Sequence, residues 1–98
     1  MYARLTTIVF APDERDPAAS VFERILPAVE QLDGFQEIVM LSGIDERSLV
    51  ALTLWETEAA LEAAQPVLEG IKRAETSHRS VETRQTSRFV VAGRRLAS

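Results

Sequence analysis

The stretch from Ser48 to Gln65 constrains the fold of this chain more than any other. Leu49, Val50, Leu52 and Leu54 do not alternate cleanly with polar residues, so they suit a strand with apolar neighbours on both faces. Trp55, the only tryptophan, follows directly. Thr57 can then accept a hydrogen bond from a free amide at a helix start, and Glu58 and Glu62 suit the positive end of that helix. The stretch predicts a buried strand over Leu49–Trp55 that turns into a helix near Thr57 without an intervening loop.

The rest of the chain can be placed around this corner. Ala3–Phe10 predicts a strand, with Leu5, Thr7 and Val9 on one face and Thr6, Ile8 and Phe10 on the other. Pro12 and the charged run from Asp13 end it; Asp16 is the expected cap of the next helix, with Pro17 at its first position. Ala18, Val21, Phe22, Ile25, Val29 and Leu32 form one apolar helical stripe. Pro27 falls inside it and predicts a kink or break. Gly34 is the expected left-handed stop. Gln36–Ser42 predicts a second strand, joined by the short polar segment Gly43–Ser48 to the third, so these two should pair antiparallel. The second helix meets Pro66 and is expected to restart there, with Thr76–Arg79 as a linker. Val81–Val91 predicts a long final strand. Val81, Thr83, Gln85, Ser87, Phe89 and Val91 should share one face; Glu82, Arg84, Thr86 and Arg88 share the other, expected to be wet or to meet a charged partner.

The order is strand-helix-strand twice over. Right-handed crossovers put both helices on one face of a four-stranded sheet, an α+β, ferredoxin-like βαββαβ domain spanning residues 1–98, with 93–98 as a basic, frayed tail. A chain of 98 residues is small for a self-sufficient core. Leu5, Ile8, Val9, Val39, Met40, Val50 and Leu52 occupy both parities of the strands, while two helices can cover only one face. The open face therefore needs a cover, and a second copy of the same sheet is the simplest one, giving a homodimer.

Composition removes several function classes. Cysteine is absent, which excludes disulfides and thiolate chemistry. No apolar run reaches the roughly 18 residues of a membrane span, and Arg4, Thr6 and Thr7 interrupt any signal-peptide pattern. A cytoplasmic protein is the expectation. Ten of the eleven basic residues are arginine, a bias associated with GC-rich bacterial genomes. The net charge of −4 is unevenly spread: residues 1–71 carry four arginines against thirteen acids, and residues 72–98 carry seven basic groups against two acids. Such a split suits either an anionic ligand or complementary subunit surfaces. The chain is acidic overall and its basic end lacks interleaved aromatics, so nucleic acid is not expected.

In element order and length, the chain resembles the antibiotic-biosynthesis-monooxygenase-like proteins of the dimeric α/β-barrel superfamily. The resemblance rests on Leu32-Asp-Gly-Phe35, on Leu54-Trp-Glu-Thr57 followed by Ala60-Leu61, and on the long closing strand. It implies a dimeric α/β barrel and oxygenation of electron-rich polycyclic phenols, in many members without metal or flavin, so no cofactor is expected. Trp55 matches the family tryptophan that lines the substrate cavity. Quinone-forming members also rely on an asparagine and an arginine. This chain has no asparagine, and Arg73 and Arg79 are the candidates for the arginine. Haem-degrading relatives place a histidine shortly after the tryptophan. The only histidine here, His78, lies 23 residues after Trp55 and is not expected to anchor haem.

The candidate ligand-binding residues are therefore Trp55, with the small Ala51 and Thr53 on its strand face, Arg73 and His78. Each has a plainer alternative. Trp55 can be a core residue with its N–H satisfied, and a lone histidine in a polar linker is ordinarily solvated. Arg84 and Arg88 are spaced for an anion but can equally pair with Glu82 or a second subunit. No phosphate loop, metal spacing or nucleophile triad is present. Two function classes stay open: a small cofactor-independent monooxygenase acting on an aromatic or polyketide-like molecule, and a non-catalytic homodimer that binds a small apolar ligand or serves as an accessory subunit.

Overall fold

The structure, a computed structural model, describes residues 1–12, 17–77 and 79–97. Its elements are β1 (Tyr2–Phe10), α1 (Ala18–Glu30), β2 (Phe35–Ser42), β3 (Ser48–Trp55), α2 (Glu58–Thr76) and β4 (Val81–Val90). The four strands form one antiparallel sheet in the order β2-β3-β1-β4. This is the ferredoxin-like arrangement, with each helix crossing over between strands that are not neighbours. Among the described residues, no helix is long and apolar enough to cross a membrane.

Both prolines leave their helices unbroken: α1 runs through Pro27 and α2 through Pro66. The expected breaks do not occur because each proline lies on a solvent face. The carbonyls deprived of a partner belong to Glu23 and Glu62, also exposed, where water can satisfy them. At the start of α1, Pro17 is the residue flanking the helix, not its first residue, and no side chain caps it; Asp16 lies outside the described residues. The start of α2 follows the sequence closely. Thr57 Oγ1 accepts the Ala60 amide at 3.1 Å. Gly34 has φ +77°, and a Cβ there would stand 2.4 Å from the Ala60 Cβ. The Glu56 amide donates to the Gly34 carbonyl at 2.8 Å, so the β3–α2 corner docks onto the turn before β2.

Strand register decides the two faces. Tyr2, Arg4, Thr6 and Ile8 sit opposite Trp55, Thr53, Ala51 and Leu49 of β3, on the side of the helices. One core cluster joins Val29, Leu61, Ala64 and Leu68 to Trp55; the other joins Val21 to Ile8, Phe10 and Leu49. Of the seven apolar residues that sequence spread over both parities, Ile8 and Met40 belong to the covered face and the other five to the open one. The open face presents Leu5, Val9, Val39, Val50 and Leu52 together with Leu41, 51% exposed, and Phe89, 50% exposed.

One expectation about β4 is corrected by its pairing with β1. A register shift between Val9 and Phe10 brings Val81 opposite Phe10, so Val81 packs into the core rather than sharing a face with Gln85 and Ser87. Arg84, Thr86 and Arg88 pair with Ile8, Thr6 and Arg4, on the helix side. Charged groups of the chain's own α2 meet this face: Arg88 lies 3.6 Å from Glu62 and Thr86 accepts from Lys72. After β4, the Val91 amide donates to the Met1 carbonyl and Arg94 reaches Glu37 on the opposite edge strand at 2.8 Å. The tail must therefore cross one end of the open face, which accounts for Ala3 and Leu54 being only 5% exposed there.

Candidate functional site

A cavity lies between the sheet and the helices. Its apolar wall includes Ile25 and Val29 of α1, Met40 of β2 and Ile71 of α2, and its polar wall is formed by Arg4, Thr6, Thr53, Lys72 and Glu75. The volume is about 60 Å³. A water needs roughly 10–15 Å³ on this measure, so the closed space has room for a few waters.

Apart from Glu75, the polar wall belongs to one connected network. Arg4 stands on the central strand, 5% exposed, where a strand residue facing the helices is ordinarily apolar. Its Nε donates to Gln65 Oε1 at 2.5 Å, one terminal nitrogen to Thr6 Oγ1 at 3.0 Å and the other to Glu69 Oε1 at 2.6 Å. Lys72 Nζ donates to Glu69 at 3.1 Å and to Thr86 Oγ1 at 3.2 Å. Thr86 and Thr6 hydroxyls close the ring at 3.2 Å. Spacing on α2 makes this possible: Gln65, Glu69 and Lys72 recur at four and three residues and so share one helix face. Burial pulls the pKa of Arg4 below its ordinary value, opposed by Glu69, but a guanidinium remains charged at any ordinary pH. The Lys72 hydrogen bond holds the Glu69 carboxyl below the usual range; burial opposes it, and the charges of Lys72 and Arg4 add to the lowering. Arg4 and Lys72 thus share the Glu69 carboxylate, while Glu75, the wall's other acid, is paired with Arg24 of α1, so the paired set as a whole keeps a net positive charge.

The residues singled out in the sequence are distributed unevenly. Ala51 and Thr53 line the cavity. Trp55 is not among the lining residues. It is fully buried, edge-to-face with Phe35 at 5.8 Å and 71°, and donates its indole N–H to Thr53 Oγ1 at 2.9 Å. It therefore touches the cavity only through the hydroxyl it orients. Arg73 is exposed on α2 and faces an outer cleft beside β4 instead of the cavity. Arg79 donates to the Glu75 carbonyl at 3.3 Å, past the end of α2. His78 lies outside the described residues. The sequence reading missed Arg4, Lys72 and Glu69. A signal was present: Arg4 breaks the apolar pattern of β1 on the same parity as Thr6, Ile8 and Phe10, which is unusual for a covered strand. Among the described residues, no group of three or more His, Cys, Asp or Glu side chains is placed to hold a metal ion.

No protein-family model matches the sequence, and no match is found among curated proteins. Solved structures do match. A candidate antibiotic biosynthesis monooxygenase from Deinococcus radiodurans is similar with a TM-score of 0.74 at 16% identity, over 100% of this chain and 98% of that one. The monooxygenase ActVA-Orf6 of Streptomyces coelicolor, solved with the ligand nanaomycin D, gives 0.73 at 17% identity, over 99% and 92%. SnoaB, a cofactor-independent oxygenase from Streptomyces nogalater, gives 0.71 at 20% identity, over 95% and 94%. At such identities the likeness is one of fold, and it extends over nearly the whole of each chain. The chain therefore has the ferredoxin-like fold of the antibiotic-biosynthesis-monooxygenase-like proteins.

Proposed function

We propose that this protein is a cofactor-independent monooxygenase acting, as a cytoplasmic homodimer, on an electron-rich aromatic or polyketide-like small molecule held between the sheet and the helices. The observation that carries this reading is an apolar cavity with a single polar wall whose charge is net positive. Such a wall favours the anionic form of a phenol over the neutral one. The chemistry then needs only oxygen. The substrate anion passes an electron to O2, the two radicals combine to form a carbon–oxygen bond, and the resulting peroxide takes up a proton. Loss of water across the O–O bond leaves a carbonyl, so a CH2 group and O2 become C=O and H2O. Arg4 and Lys72 are positioned to hold negative charge on substrate and peroxide, and the Thr6 and Thr53 hydroxyls to fix orientation. Trp55 acts through Thr53 as a positioning residue.

Ligand pockets for drug-sized molecules run from about 300 Å³, far above the closed cavity, so a polycyclic substrate requires α1 and α2 to part. The connection to be broken is the Arg24–Glu75 ion pair, at 3.0 and 2.5 Å, which joins the two helices at the cavity. Arg24 is 46% exposed, and pairs of that kind are worth about 0–1 kcal/mol. That ion pair opposes opening little; the larger resistance is the buried packing of Val29 against Leu61, Ala64 and Leu68.

Oxygen uptake with an anthrone-type phenol tests the proposal. One O2 should be consumed per carbonyl formed, and Lys72→Met should lower the rate on the order of 100-fold, the usual effect of losing a charge-stabilising donor. Uptake no faster than in protein-free buffer, with the phenol nevertheless bound, would leave the second reading, a non-catalytic ligand-binding dimer. That reading is favoured by one feature: the chain has no asparagine.

A further inference from the structure

We propose that the outer cleft between the last turns of α2 and strand β4 binds a tetrahedral dianion, a phosphate- or sulfate-type group on a small molecule. The cleft has a volume of about 310 Å³ and is lined by Glu69, Lys72, Arg73, Thr76, Ser77 and Arg84. Three cations therefore face one carboxylate, and that carboxylate is already engaged by Lys72 and Arg4. Arg73 and Arg84 are the informative pair. Among the described residues, every other arginine ahead of the tail has a carboxylate or carbonyl partner. These two have none, yet they come to the same cleft from different elements. Like charges placed together without a counter-charge repel, and a bound anion removes that repulsion. Guanidinium groups also present the forked donors that suit phosphate-type oxygens.

Two features oppose the anion, and both are smaller. The carbonyls at the end of α2 carry about half a negative charge, against two net positive charges in the cleft. The Thr76 and Ser77 hydroxyls already donate to the Lys72 and Ala74 carbonyls, at 2.8 and 3.1 Å, so they add no donor. Recognition falls to the three cations. Lys72 lines both this cleft and the inner cavity, so an anion bound outside sits one side chain away from the polar wall. This site stands on its own geometry and survives failure of the oxygenase reading.

Amide NMR of the full chain, titrated with sodium phosphate, sulfate or acetate at constant ionic strength, tests it. Phosphate and sulfate should give saturable shifts confined to residues 72–77 and 84–86, with a Kd on the order of 1 mM, and acetate should bind more weakly. Saturation by phosphate alone would mark the ligand as a phosphate ester, by sulfate alone as a sulfate ester. The Arg73→Gln/Arg84→Gln variant changes only exposed side chains, so its amide spectrum should show an intact fold while phosphate affinity falls about tenfold or more. Shifts that grow linearly with concentration, spread over all exposed amides, or match those from chloride would overturn the site. An unchanged Kd in the double variant would do the same.

Discussion

On the face turned to the helices, β1 presents Arg4, Thr6, Ile8 and Phe10; on the open face it presents Ala3, Leu5, Thr7 and Val9. The covered side thus contains a guanidinium and a ring of hydrogen-bonded side chains, while the open side is mainly aliphatic. β3 repeats the contrast, with Thr53 inside and Val50 and Leu52 outside. A fold stabilised only by its own core would have the opposite composition. Polar groups under the helices cost desolvation unless every one is paired, and here no buried side-chain nitrogen or oxygen among the described residues lacks a partner. Apolar groups on the open face forgo the stabilisation that burial would bring. The two faces differ in kind: the inner one carries the polar ring and the cavity, and the outer one exposes aliphatic and aromatic surface.

The largest expected effect is on the outer face. In the proposed dimer, burying the open-face side chains removes about 400–600 Å² of apolar surface, on the order of 10 kcal/mol gross at about 25 cal/mol per Å², before the entropy of association is subtracted. Leu52→Asp should convert the protein to a folded monomer in sedimentation equilibrium at low micromolar concentration, whereas high salt should not, because the driving force is apolar. Wild-type protein that sediments as a stable 10.9 kDa monomer would remove the need for a cover altogether. Val50→Asp serves as a second probe, since register places it on the same face.

A smaller effect is expected inside. Arg4→Leu deletes the hub of the polar ring and leaves Gln65 and Thr6 short of a partner. Glu69 is 41% exposed and can rehydrate, which limits the loss. A cost of about 1–3 kcal/mol is expected, read as a lowered urea midpoint at unchanged m-value. A neutral or stabilised Arg4→Leu protein would show that the network is replaceable core, and the contrast between the faces would lose its functional meaning.

The smallest effect is in the pH dependence. The Glu69 carboxyl titrates below 4.5 in the folded protein, so its contribution to stability is present above the unfolded value. It is lost as pH falls through the folded value. Glu69→Gln should therefore flatten part of the acid limb of the stability curve below about pH 4.5 and leave the neutral region nearly unchanged. An acid limb identical to wild type would mean that the two cations do not hold the carboxylate as tightly as the geometry indicates.

Features set by local chemistry were legible in the sequence. Thr57 caps α2, Gly34 takes the left-handed turn, Gly43–Ser48 closes a hairpin, and the β3–α2 corner falls at Trp55, because each depends on a few consecutive residues and their backbone preferences. Which parity of the strands meets the helices was settled by packing alone. Both parities are apolar enough to be buried, so periodicity could not choose. The register then followed from the Val9–Phe10 irregularity, which moved Val81 into the core and turned Arg84, Thr86 and Arg88 toward α2. The candidate site belongs to the same class of decision. Arg4 and Glu69 are 65 residues apart, and nothing local marks them as partners. They meet because strand pairing fixes one side chain and the helical repeat fixes the other, and only the packing of α2 on the sheet brings the two within hydrogen-bonding distance.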